Sequence, residues 1–181
     1  MQPIALFLML ISFFAPAKPA TIYVYGDLNL DKIENTAPGT KYVVTGNITI
    51  REKIDNHASV LLQAGGEIHI GQKIDQHCSV TLRAGTLISI GEKIDQHCQV
   101  EMFLASGGRV YIGQKVDQHS RVWMTVPGGS IQIVQGTDQD SHVHFFCPSF
   151  RSAGPNGGST EDSSPRPFPE MNFWRQAGPE N

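Results

Sequence analysis

The chain has no basic cluster and no acidic run: its 14 lysines and arginines and its 17 aspartates and glutamates are scattered, for a net charge of −3. That excludes the electrostatic footprint of a nucleic-acid binder and a highly charged tail. Nor is there an apolar run long enough to span a bilayer comfortably. The longest, IALFLMLISFFA, stops at Ala15. Helical spacing of apolar residues is missing throughout the central part of the chain, which excludes a helix bundle. Charge is also absent from the first three residues, which contain no lysine or arginine.

What is present is a repeat. Residues 68–85 read IHIGQKIDQHCSVTLRAG. Near copies stand at 48–66 (ITIREKIDNHASVLLQAGG), 88–107 (ISIGEKIDQHCQVEMFLASG) and 110–129 (VYIGQKVDQHSRVWMTVPGG). A fixed period of 20–22 residues marks a solenoid, in which each copy is one coil stacked on the last. Within a coil the pattern is of period two. Ile48/Ile50, Ile68/Ile70, Ile88/Ile90 and Val110/Ile112 form a first strand, and glycine at 71, 91 and 113 marks a bend, with Arg51 in its place in the first copy. The central residue of Lys-Ile-Asp or Lys-Val-Asp points inward in a second strand, with both charges expected outward. Val60/Leu62, Val80/Leu82, Val100/Met102 and Val122/Met124 form the third, ending at glycine-rich corners. Three short strands and three corners per coil predict an all-β parallel β-helix of five to six coils of 20–22 residues.

The flanks fit terminal coils. Leu28 and Leu30 lie 20 residues before Ile48 and Ile50, and Ile33 lies 21 before Ile54, giving a degenerate first coil. Ile131, Ile133, Val143 and Phe145 keep the inward pattern in a fading last one. From Pro148 the composition turns to Ser, Gly, Pro and Glu, and a disordered tail is expected over 148–181. Phe168, Phe173 and Trp174 are its bulky residues, placed to dock on the open edge of the last coil. At the other end, the apolar segment followed by Ala15-Pro16-Ala17 reads as a signal peptide over 1–17. An uncleaved anchor and a buried N-terminal element are the alternatives. The expected organisation is thus a signal peptide, a solenoid over 18–147 and a tail. The expected location is secreted, periplasmic or at the cell surface, with no membrane span after cleavage.

Stacking turns each repeated position into a column with a rise of about 4.8 Å. Lys53, Lys73, Lys93 and Lys115 form one, and Asp55, Asp75, Asp95 and Asp117 another. Read together they are either a charge-paired solvated face or a binding strip for a polymer. Asn56, Gln76, Gln96, Gln118 and Gln139 form an amide column suited to ladder hydrogen bonds. His57, His77, His97 and His119 are the candidate metal ligands, although a column spreads donors along a line where a metal needs them to converge. Acidification, which charges imidazoles, is expected to cost such a stack stability. Cys78 and Cys98 fall in neighbouring coils, so they suit either an intercoil disulfide or two stacked buried thiols. Cys147 is the odd one out. Asn47-Ile48-Thr49 fits the glycosylation sequon.

The coil period and corner glycines resemble those of secreted right-handed β-helix proteins, a class that includes adhesin-type passenger domains and polysaccharide lyases. The short stack with a Pro-rich tail is also similar to bactofilins, bacterial polymer-forming scaffolds. These resemblances imply an architecture and either a scaffold or a carbohydrate-active role. Regular copies of one outward motif favour a non-enzymatic scaffold, because an enzyme needs unlike residues converging in one place. No catalytic residue and no cofactor is assigned. Self-association or a surface polysaccharide or protein is the expected partner, and nucleic acid is not. Carbohydrate chemistry and a metal- or pH-responsive histidine column remain the competing functions. Ice binding is disfavoured, since Thr49, His69, Ser89, Tyr111 and Gln132 make no threonine array.

Overall fold

The computed structural model describes residues 18–138 and 140–147 and the backbone of 160–162. The chain winds through six turns of a β-solenoid, each with three sides. The first coil is β1 (Thr21–Val24), β2 (Leu28–Leu30) and β3 (Ile33–Glu34), and the second is β4 (Thr40–Val44), β5 (Ile48–Ile50) and β6 (Ile54–Asp55). The third is β7 (Ser59–Ala64), β8 (Glu67–Ile70) and a single bridge at Ile74. The fourth repeats it as β9 (Ser79–Ala84), β10 (Leu87–Ile90) and a bridge at Ile94. The fifth is β11 (Gln99–Leu104), β12 (Arg109–Ile112) and β13 (Lys115–Val116), and the sixth is β14 (Arg121–Thr125), β15 (Ser130–Ile133) and β16 (Gly136–Thr137). β17 (His142–Phe146) starts a seventh, and β18 (Thr160–Asp162) lies beside it.

All pairings are parallel and join equivalent positions of successive coils. The long side is the sheet β1-β4-β7-β9-β11-β14-β17-β18, and the second is β2-β5-β8-β10-β12-β15. The third side is carried by β3 on β6, the bridges Ile54–Ile74–Ile94–Val116, and β13 on β16. The register is the one the period implies: Leu28 meets Ile48, Ile68 meets Ile88, and Ile88 meets Val110. Inward residues form apolar columns, so Ile50, Ile70, Ile90 and Ile112 are almost wholly excluded from water, as are Leu62, Leu82, Met102 and Met124. Each such side chain contributes about 1.5–3 kcal/mol relative to exposure, and every coil supplies several.

The bend glycines are needed for close approach. A Cβ on Gly91 would stand 2.1 Å from the carbonyl oxygen of Gly71, and one on Gly113 would stand 2.0 Å from that of Gly91. Arg51 begins this column, where its side chain turns out to Asp31.

One expectation is corrected at the C-terminal end. A strand was not expected in the segment after Pro148, yet Thr160–Asp162 adds to β17, with Val143 opposite Thr160 and Phe145 opposite Asp162. Phe168, Phe173 and Trp174 lie outside the described residues. So do Gln139, the last member of the amide column, and the apolar segment with the proposed cleavage site at 1–17.

Gly91→Ala is expected to lower the unfolding free energy by about 2–3 kcal/mol, because the clash is with backbone and cannot be relieved by a rotamer change. Urea titration followed by far-ultraviolet circular dichroism measures this. An unchanged midpoint contradicts the close approach.

Candidate functional site

The repeated Lys-Ile-Asp-Gln-His segment forms the corner between the third side and the long sheet. Its aspartates are where the expectation fails. Asp55, Asp75 and Asp95 are 1 %, 1 % and 2 % exposed and Asp117 is 8 % exposed, so the carboxylates turn in to the corner and do not form an outward strip with the lysines. The reason is a turn. One oxygen of each aspartate accepts the backbone N–H of the next residue: Asn56 at 2.7 Å, and Gln76, Gln96 and Gln118 at 2.9 Å. The other receives the lysine two residues earlier. Lys53 holds Asp55, Lys73 holds Asp75 at 2.5 Å, Lys93 holds Asp95 at 2.5 Å and Lys115 holds Asp117 at 2.8 Å. Two lysines also reach across coils, Lys93 to Asp117 at 4.0 Å and Lys115 to Asp138 at 2.7 Å.

These clamps shift the titrations as charge-assisted hydrogen bonds should. Burial pushes the Asp55 carboxyl up. The hydrogen bonds from Lys53 and from the Asn56 N–H outweigh it, and the group ends below its ordinary value. Lys53, Lys73 and Lys115 are raised, each first by the hydrogen bond to its own aspartate.

The clamp holds two successive residues in left-handed backbone. The φ angles are 53° and 59° at Asn56 and His57, 54° and 59° at Gln76 and His77, 49° and 60° at Gln96 and His97, and 47° and 59° at Gln118 and His119. The turn closes with the Ala58 N–H donating to the Asp55 carbonyl at 3.3 Å, and Ser120 does the same to Asp117. Each histidine N–H then reaches the next coil: His57 donates to the Gln76 carbonyl, His77 to Gln96 and His97 to Gln118, at 2.8–3.0 Å. In the amide column it is therefore backbone that joins one coil to the next.

The imidazoles project from these turns into solvent, and all four are exposed. Ring centroids are 5.3, 5.0 and 5.0 Å apart and the planes lie within 12° of parallel. Asp140, also left-handed at φ 61°, ends the ladder, with Oδ2 3.9 Å from His119 Nδ1. Parallel rings at this spacing do not converge on a point. Among the described residues no group of three or more histidine, cysteine, aspartate or glutamate side chains is placed to hold a metal ion.

Cys78 and Cys98 are stacked inside the same corner as free thiols, and Cys147 is a third buried thiol. Cys78 Sγ lies 2.8 Å from the Asp75 carbonyl. The neighbouring Cys78 thiol and burial together raise the Cys98 thiol well above the usual range.

Two ring contacts on the outer face of the long sheet had no counterpart in the repeat pattern. Trp123 stacks on His144 with centroids 6.0 Å apart, and the Arg83 guanidinium sits 5.5 Å over Phe103. Pairing of β14 with β17 puts Trp123 opposite His144. The signal was available as outward aromatics at equivalent coil positions.

The fold defines the chain as a parallel β-helix with an aspartate-clamped corner and an exposed imidazole ladder. Comparison with protein families, with curated proteins and with solved structures found no match.

Asp75→Ala is expected to cost about 2–4 kcal/mol, since it leaves the Gln76 N–H and Lys73 without their partner. The pH dependence follows from Asp55, whose carboxyl, against the opposing effect of burial, is held below its ordinary value in the folded state by Lys53 and the Asn56 N–H. Its contribution is fully present above the unfolded value and is lost as pH falls through the folded one. Stability should therefore decline below about pH 4, and less steeply in Asp55→Asn. Equal slopes for the two proteins, in thermal melts across acid pH, contradict this assignment.

Proposed function

We propose that the protein is an exported, non-enzymatic scaffold whose solenoid presents the imidazole ladder to a surface polymer, polysaccharide or protein. The observation that supports this best is the position of the histidines. A left-handed residue at the second turn position is held at least cost by glycine, which has no Cβ to crowd. In four successive coils an exposed imidazole stands there instead, ring over ring, and it adds nothing to the apolar core. The side chain serves the surface, and the turn tolerates it.

The remaining chemistry of the corner supports a binding role over a catalytic one. Lysine and aspartate are engaged with each other in each of the four repeat copies, so neither presents a free acid or base there. The columns repeat one arrangement along the axis, whereas catalysis calls for unlike groups around one point. Stacked ring edges at near-constant spacing suit a partner that is itself a linear repeat. Export is supported by the apolar N-terminal run and the Ala15-Pro16-Ala17 site.

The test is retention on a panel of immobilised surface polysaccharides and proteins, with the eluate assayed for reducing and unsaturated sugar ends. Retention without fragments is expected. Replacement of His57, His77, His97 and His119 by Asn, which tolerates left-handed backbone, should abolish retention while the fold persists. Released fragments would identify a carbohydrate-active enzyme and overturn the proposal.

A further inference from the structure

The two ends of the solenoid are built differently. At the C-terminal end the inward residues Val143, Phe145 and Cys147 are 1 %, 7 % and 7 % exposed, and β18 occupies the outer side of β17. At the N-terminal end Ile22 belongs to the inward column that continues through Tyr42 and Leu62, yet it is 38 % exposed. Val24, Leu28 and Leu30 are half-buried in the same coil. Among the described residues, β1, β2 and β3 are each paired on one side only, as β15 and β16 are at the other end, so the two ends differ on the long side.

The open side of β1 is chemically unguarded. The carbonyls of Ala20 and Val24 accept from Lys41 and Thr45 at 2.8 and 3.1 Å, so residues 20, 22 and 24 bond towards β4. Alternation along the strand then directs the N–H and C=O of Tyr23 away from β4, to the free edge. Residues 21–26, TIYVYG, contain no charge and no proline, and so none of the devices that keep edge strands apart. Tyr23 and Tyr25 are 70 % and 84 % exposed beside it. Lys18 and Asp27 flank this stretch but lie outside the strand, and further along the coil Lys32 pairs with Glu34 at 2.9 Å and Arg51 with Asp31 at 3.1 Å. The strand at the other end has the sequence Thr-Glu-Asp, with two acidic residues in three.

We infer that the N-terminal edge pairs with the same edge of a second copy, β1 against β1, to give a closed head-to-head dimer. The inference rests on the scaffold proposal and names the surface of its self-association. An isologous contact brings two uncharged edges together antiparallel about a two-fold axis, and it continues both sheets while covering Ile22. Stacking head to tail would instead set β1 against the acidic strand. The long side also extends two strands, β17 and β18, beyond β15 at that end, so the sides could not all meet flush. The assembly therefore closes at two copies and does not grow into a filament.

Sedimentation velocity of the full chain over a dilution series should show a monomer–dimer equilibrium with no larger species. Tyr23→Pro removes the edge-facing N–H without touching the ladder to β4, a position where an edge strand accepts proline. It should weaken self-association by at least about tenfold, with an unchanged melting temperature. Tyr23→Lys, which places like charges across the contact, should do the same if the proline variant is poorly folded. A monomer at every concentration, open-ended polymers, or a dimer indifferent to both variants overturns the inference. A monomer that is still retained on a surface polymer overturns the dimer alone. A β1-dependent dimer that releases sugar ends supports the dimer and overturns the scaffold proposal.

Discussion

A buried carboxylate at a corner is the constraint on which the solenoid depends. An ionised aspartate excluded from water is costly unless its oxygens are occupied. Here each oxygen has a defined partner from its own coil: a backbone N–H one residue on and a lysine two residues back. That pairing turns the chain through two left-handed residues and delivers the histidine N–H to the coil above. The same side chain thus fixes the corner, neutralises a lysine and sets the register between coils. The apolar columns supply most of the stabilisation. The corner adds hydrogen bonds that tie named residues of successive coils together.

From this follows the division of labour among the repeated residues. Isoleucine, valine and leucine columns fill the interior, the glycines at 71, 91 and 113 let coils approach, and lysine with aspartate locks the turn. Only the imidazoles and the outer faces of the two larger sheets are left to meet a partner. A solenoid also has two ends, and their difference shapes what it can build. On the long side, the acidic strand beside β17 and the uncharged edge of β1 favour a unit that pairs once and stops.

Much of the fold was legible because a solenoid repeats its register in the sequence. The spacing of Ile48, Ile68, Ile88 and Val110 is the strand register itself, with no long-range guess required. The same spacing placed the degenerate coil at Leu28 and Leu30 correctly. The corner was less legible. Lys-Ile-Asp has the alternation of a strand with both charges out, and that pattern holds for the lysine but fails for the aspartate. A carboxylate followed by an amide residue is also the signature of a side-chain-to-backbone turn, and that local competition decided the geometry. The histidine column is legible in the repeat, but its exposure depends on the left-handed turn and is hidden with it. The strand at Thr160–Asp162 was invisible for another reason: three polar residues in a Pro- and Ser-rich stretch carry no periodicity, and only the open edge of β17 organises them.

The most direct test of the corner is amide hydrogen exchange at the turn residues. The N–H groups of Gln76 and Gln96 are held by buried aspartates, and those of His77 and His97 by the carbonyls of the next coil. They should exchange as slowly as amides in the middle of β9 and β11, although they lie in a turn beside exposed side chains. Exchange at the rate of ordinary solvent-exposed turn amides, with the strands still protected, would show that the aspartate clamp does not hold the coils in register.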